Sequence, residues 1–408
     1  MAVKTEARPK IAEIRPFSIE VPEADLKALR ARIAATRWPE KQTVDDQSQG
    51  VPLETSQALA RYWEKEYDWR KVEARLNAVP NFITEIDGLD IHFLHIRSKH
   101  EDALPLIVTH GWPGSIIEQL KIVGPLTDPT AHGADASDAF HLVIPSLPGF
   151  GFSGKPTQPG WGPERIASAW IELMRRLGYQ RYVAQGGDWG ALITDVIALQ
   201  RPPELAGIHT NMPGVVPPDL DTLLQSGISG AADPLASLPA NLSDEERRCC
   251  EKLAFFWQHS AYALMMGTRP ETLTGFADSP IALASYMIDH DAASLDLICQ
   301  AFAGKNVGLT RDDVLDNVTL FWLMNTGNSA ARIYWENKLS FFAAKGVTVP
   351  AAVSVFPDEM YQAPKSWAEQ AYPNLIHYNK VENGGHFAAW EQPQLLSEEL
   401  RTAFRSLR

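Results

Sequence analysis

The chain has 408 residues, 45% apolar and 21% charged, enough to build a large packed core and to exclude global disorder. Acidic residues outnumber basic ones 50 to 37 and no Lys/Arg block stands out, which argues against nucleic acid as a partner. Cys249 and Cys250 are adjacent, Cys299 stands apart, no C-x-x-C spacing occurs and no run of 18 apolar residues exists, so a disulfide framework, a zinc site and a membrane span are all unexpected.

The opening run MAVKTEARPKIAEIRPF carries charges every few residues, which fits neither a signal peptide nor a membrane anchor. Residues 1–80 read as a helical, irregular N-terminal segment. Leu26, Leu29 and Ile33 give an i, i+3, i+7 stripe closed by Trp38-Pro39, and residues 56–76 give a second helical stretch. Its aromatics, Tyr62, Trp63, Tyr67 and Trp69, are expected to pack against another domain. Over residues 81–212 the pattern changes to alternating strands and helices. Residues 81–86 and 91–96 flank a Gly-containing turn as a hairpin; 104–109, 139–144, 181–185 and 205–210 read as short strands; 164–178 and 191–199 read as helices. This alternation predicts a mainly parallel sheet covered on both faces. Residues 213–340, Pro-rich at first and then helical, read as a cap inserted into the sheet domain. The alternation resumes over 341–408 with strands at 347–355 and 374–378, then a helix from Pro393 with Leu396, Leu400, Phe404 and Leu407 at helical spacing.

Four motifs fall at predicted strand ends, where open α/β sheets build their sites: HGWP at 110–113, GGDWG at 186–190, FPDE at 356–359 and GGH at 384–386. Their order, nucleophile then acid then histidine, is that of α/β-hydrolases. Gly186 and Gly190 give Asp188 room on a sharp strand-to-helix turn, and the helix dipole favours an anion there. A serine at this point needs a base to activate it; an aspartate is already ionised and can displace a leaving group at a saturated carbon. The product is an ester on the enzyme. His386 can then act as base for the water that hydrolyses it, oriented by Asp358 or Glu359, with the backbone N–H groups of Trp112 and Trp189 as an oxyanion hole. His110, Trp112, Phe152 and Trp189 are candidate pocket residues. Epoxide oxygen or halide can leave in such a reaction. An epoxide oxygen needs a proton, which Tyr262, Tyr286 or Tyr334 in the cap can supply. The eleven histidines show no metal-ligand spacing, and no cofactor or metal is expected.

RPFSIEVPEADLKALRARIAATRWPE, HGWPGS, GGDWG and GGHFAAWEQP together resemble the microsomal-type epoxide hydrolases, over nearly the whole chain from about Arg15. The resemblance implies an α/β-hydrolase fold with a helical cap and an N-terminal segment wrapping the catalytic domain. It implies that an epoxide, mostly apolar or aromatic, is converted to a vicinal diol without a cofactor. By the resemblance Asp188 is the nucleophile, His386 the base and Glu359, last residue of FPDE, the acid; RIYWEN implies Tyr334 as one cap tyrosine and the looser match HSAYALMMG implies Tyr262 as the other, with Tyr286 in reserve. Membrane-bound members carry an N-terminal anchor, which is not seen here, so a cytoplasmic enzyme is expected, with a homodimer left open. Haloalkane dehalogenase is the alternative activity and a non-catalytic binding protein on the same fold the alternative class.

Overall fold

The structure, a computed structural model, describes residues 13–227 and 233–408. The expectation for the first twelve residues, and residues 228–232 of the expected cap, lie outside them. The described strands are β1 (Arg15–Pro16), β2 (Asn81–Ile86), β3 (Leu89–Ile96), β4 (Leu104–Thr109), β5 (Phe140–Pro145), β6 (Tyr182–Gly186), β7 (Leu205–Thr210), β8 (Ala351–Val355) and β9 (Leu375–Lys380). They form one sheet in the order β1-β2-β3-β5-β4-β6-β7-β8-β9. The pairs β1–β2, β2–β3 and β3–β5 are antiparallel; from β5 to β9 every pair is parallel. The parallel strands are short and apolar because helices cover both faces: β5, β6 and β8 are buried at every residue. The C-terminal ends of β4, β6, β8 and β9 bring the four motifs to one edge of the sheet.

The helices follow from the apolar spacing. Glu23–Ala34 buries Leu26, Leu29 and Ile33, and Pro163–Arg176 buries Ile166, Trp170, Leu173 and Met174. Two expectations need correction, and one element was not expected. Residues 56–76 are two helices, Leu53–Lys65 and Trp69–Asn77, because the Asp68 side chain caps the second by accepting from Arg70 N–H. The strand expected from Val347 begins only at Ala351, after Pro350, which has no N–H to give a ladder. The stretch between β4 and β5 holds a helix, Leu120–Thr127, whose Gly124 and Pro125 are helix-breaking residues that hide it from pattern reading.

Between β7 and β8 the described residues form helices and turns, joined at their base by a single bridge between Val216 and Ala343. Three of these helices matter for the site: Ala261–Thr268, Pro280–Ile288 and Gly327–Glu336. A fourth, Arg311–Leu323, is held by the N-terminal segment. Tyr62 Oη donates to Asp312 at 2.7 Å, the Trp63 indole N–H to Thr319 at 2.9 Å, and Tyr67 Oη to Asp316 at 2.8 Å, with Arg75 paired to Asp316 as well. Trp63 and Trp69 are almost completely buried, so the aromatics supply both apolar area and directed polar tips. Among the described residues no helix is long and apolar enough to cross a membrane.

Candidate active site

Asp188 stands between β6 and the helix Trp189–Gln200 with φ 52°, left-handed backbone that a non-glycine residue adopts only when its surroundings enforce it. Close packing enforces it here. A Cβ on Gly186 would come within 2.1 Å of the Gly190 backbone, and one on Gly190 within 1.9 Å of the Thr109 carbonyl oxygen. The Asp188 side chain caps nothing in its own helix. Its Oδ1 instead accepts the Trp112 backbone N–H at 2.7 Å, and Oδ2 lies 3.6 Å from His386 Nε2. A Cβ on Gly111 would fall 2.0 Å from Oδ1, so the HGWP loop must be glycine there to approach the carboxylate.

His386 follows β9 and Glu359 follows β8. His386 Nδ1 is 2.8 Å from Glu359 Oε1, which also accepts the Met360 N–H at 2.8 Å. Glu359 is 3% exposed, whereas neighbouring Asp358 points to solvent, so of the two adjacent carboxylates Glu359 is the one facing the imidazole. Burial alone would push the His386 imidazole down. The charge and hydrogen bond of Glu359, then the charges of Asp188 and Asp291, more than offset this and raise it to about 10. Asp188→Asn removes one of those charges, so the His386 pKa is expected to fall, as read by NMR titration of the ring carbons. An unchanged value would mean that the carboxylate does not act on the ring.

The cap closes the site with aromatic rings. Tyr262 stacks on Trp112 with centroids 5.1 Å apart, Tyr334 meets Trp189 edge-on at 4.7 Å, and the two tyrosine rings lie 6.2 Å from each other. Burial first, and then the nearby Asp188 charge, raise both phenols well above the usual tyrosine range, so both are protonated. Tyr286 is used differently: its hydroxyl donates to the Tyr262 backbone carbonyl at 3.0 Å and so supports Tyr262 from behind.

Two expected pocket residues are placed elsewhere. Phe152 packs against Phe17 of the N-terminal segment and His92 of β3. His110 turns into the core, with Nδ1 on the Gly111 carbonyl and Nε2 accepting the Leu147 N–H; it ties two loops together below the site. Trp112 and Trp189 do border the site.

Sequence reading missed two groups. Glu118 lies behind Asp188 in the wall of a small internal cavity, with burial lifting its carboxyl to about 8. His290 lies beside His386, ring centroids 4.4 Å apart, with its Nδ1 3.0 Å from Asp291. Ligating atoms of Asp188, His290 and His386 all lie within 4.8 Å of one another, a cluster that no sequence spacing announces because its members are about a hundred residues apart. Only the DHD run at 289–291, charged residues between two apolar helices, could have drawn notice.

Comparison with known proteins gives this geometry a family. Residues 14–119 match the family model described as the epoxide hydrolase N terminus, and residues 105–262 that of the alpha/beta hydrolase fold. A Stigmatella aurantiaca protein assigned as an epoxide hydrolase is 51% identical over 97% of this chain and 86% of its own length. The chain belongs to the epoxide hydrolases. Rabbit epoxide hydrolase 1 is 33% identical over 95% of this epoxide hydrolase and 88% of its own length. The crystal structure of juvenile hormone epoxide hydrolase from the silkworm Bombyx mori superposes with a TM-score of 0.83 at 30% identity, covering 97% of this chain and 96% of that one. The fold is accordingly the α/β-hydrolase fold, and this epoxide hydrolase is a hydrolase that acts on epoxides.

Proposed function

We propose that the enzyme opens an epoxide with Asp188, forms an alkyl ester and hydrolyses that ester with His386-activated water to release a vicinal diol. One observation carries this reading: a single carboxylate has its Oδ1 on the Trp112 N–H and its Oδ2 toward His386, under the buried phenols of Tyr262 and Tyr334. An Asp188 oxygen attacks a ring carbon; the carbon–oxygen bond breaks, and the departing alkoxide takes a proton from a cap tyrosine. Esterification removes the Asp188 charge, and with it one of the influences holding the proton on His386. The His386 imidazolium gives its proton back to the tyrosinate, and the neutral imidazole then takes a proton from water as the water oxygen bonds to Asp188 Cγ. The Trp112 N–H, already aimed at Oδ1, and the Trp189 N–H at the helix start stabilise the oxyanion. Collapse breaks the ester bond, His386 gives its proton to the leaving oxygen, and the remaining carboxyl proton passes to His386, which restores the resting charges. Glu359 orients His386 and stabilises its charge throughout. The aromatic walls suit a mostly apolar or aromatic epoxide. Halide release is not favoured, because two phenols facing the nucleophile answer the need of an alkoxide for a proton.

A single turnover with enzyme in excess over styrene oxide in ¹⁸O-water tests the scheme. The first diol should be unlabelled, and the label should appear in the peptide containing Asp188. Label in the first diol would establish direct water attack and end the ester reading.

A further inference from the structure

We infer that His290 is a positioning residue for the hydrolytic water, accepting the hydrogen that His386 does not take. The inference rests on the ester mechanism above. Two imidazole–carboxylate pairs flank Asp188: His386 on Glu359 at 2.8 Å, and His290 on Asp291 at 3.0 Å. The second pair is as built as the first. The His290 side chain is 1% exposed and that of Asp291 9%. The Asp291 Oδ1 accepts the Ser294 N–H and caps the helix Ala292–Phe302, which fixes the carboxylate that fixes the ring. Tyr262, Trp112 and Phe387 pack on the other sides of His290, with centroids at 5.1, 5.9 and 5.8 Å.

With Nδ1 committed to Asp291, the remaining polar atom of the ring is Nε2, which is buried and has no protein partner. A buried ring nitrogen left unsatisfied is destabilising, so a site that keeps one is built to offer it something to bind. The Asp291 carboxylate can only accept, so Nδ1 carries the ring hydrogen, and in the neutral imidazole Nε2 is the acceptor. A ring nitrogen of His290 lies within 4.8 Å of both an Asp188 oxygen and a His386 nitrogen, a gap that one water spans. Such a water has two hydrogens and one attacking lone pair. With one hydrogen on His386 and the other on His290, the lone pair is left to face the ester carbon. A single base would leave the water free to rotate about one hydrogen bond. Ring opening needs no water, so the role belongs to the second half-reaction alone.

The experiment separates the two half-reactions by rapid mixing with styrene oxide, acid quench and intact-mass detection of the alkyl-enzyme. H290F is combined with D291N, so that no buried carboxylate loses its partner while the amide introduced by D291N still caps the helix. The double variant should form the adduct at within threefold of the normal rate and hydrolyse it at least tenfold more slowly, so that the adduct dominates the steady state. H290Q, which keeps a polar atom in the ring's place, should recover part of the hydrolysis rate. D291N alone should hydrolyse within about fivefold of normal. Unchanged hydrolysis in H290F/D291N, an equal loss in both steps, or a full defect in D291N alone would each overturn the role of His290. H386Q serves as the control for the underlying mechanism: if it accumulates no adduct, the ester scheme has failed, whatever His290 does.

Discussion

Asp188→Asn is expected to lower kcat by at least about four orders of magnitude while leaving the protein folded. Asparagine is nearly isosteric, can still accept the Trp112 N–H and has the same branching at Cβ and Cγ as the residue already held at φ 52°. It lacks only the anion. If the carboxylate merely stabilised a positive transition state while water attacked directly, an amide in the same place would leave much of the rate. The measurement is steady-state diol formation on protein whose circular dichroism and thermal midpoint match the parent. A folded variant retaining a tenth of the rate would remove Asp188 from the nucleophile's role. Asn is preferred to Ala because the position is strained, and a variant that unfolds says nothing about chemistry.

The second large effect is expected from the cap. Tyr262→Phe or Tyr334→Phe alone should slow adduct formation by about 10- to 100-fold, and the double variant by at least about 10³-fold, the range that a positioned proton donor supplies. The two phenols sit over one nucleophile with rings 6.2 Å apart, so each can partly replace the other, and the double loss should exceed either single one. Tyr286→Phe should cost much less, since its hydroxyl reaches the Tyr262 carbonyl rather than the site. Adduct formation followed by quenched mass detection distinguishes ring opening from ester hydrolysis. If Phe at both positions leaves adduct formation within tenfold of normal, the proton comes from elsewhere.

Most of the sheet is legible in the sequence because a buried parallel strand is a short apolar run bounded by turn residues, and for that reason β4 and β7 can be read to the residue. The proposed triad of Asp188, Glu359 and His386 is legible because each member sits at a strand end in a motif with its own local logic. The choice between Asp358 and Glu359 is not legible from the residues themselves, since adjacent carboxylates look alike until one is buried against an imidazole. Phe152 is found against Phe17 and His92, after positive-φ glycines at 149 and 151, where the sequence pattern gives no direction for a ring. His290 and Glu118 are invisible for a different reason. Neither belongs to a strand-end motif: His290 gains its place only where the cap meets His386, and Glu118 only where its loop packs behind Asp188.

The hydrogen bonds from Tyr62, Trp63 and Tyr67 to the helix Arg311–Leu323 bear on what the smallest working enzyme could be. That helix leads, after a short turn, into the one that carries Tyr334. The N-terminal aromatics and the proton donor are therefore mechanically in series although far apart in sequence. A truncation at the start of the hairpin would leave the nucleophile, base and acid untouched in sequence, yet it would strip the scaffold that sets the height of the donor above the nucleophile. A chain shortened to begin at β2 is therefore expected to lose ring-opening activity although Asp188, Glu359 and His386 all remain in it.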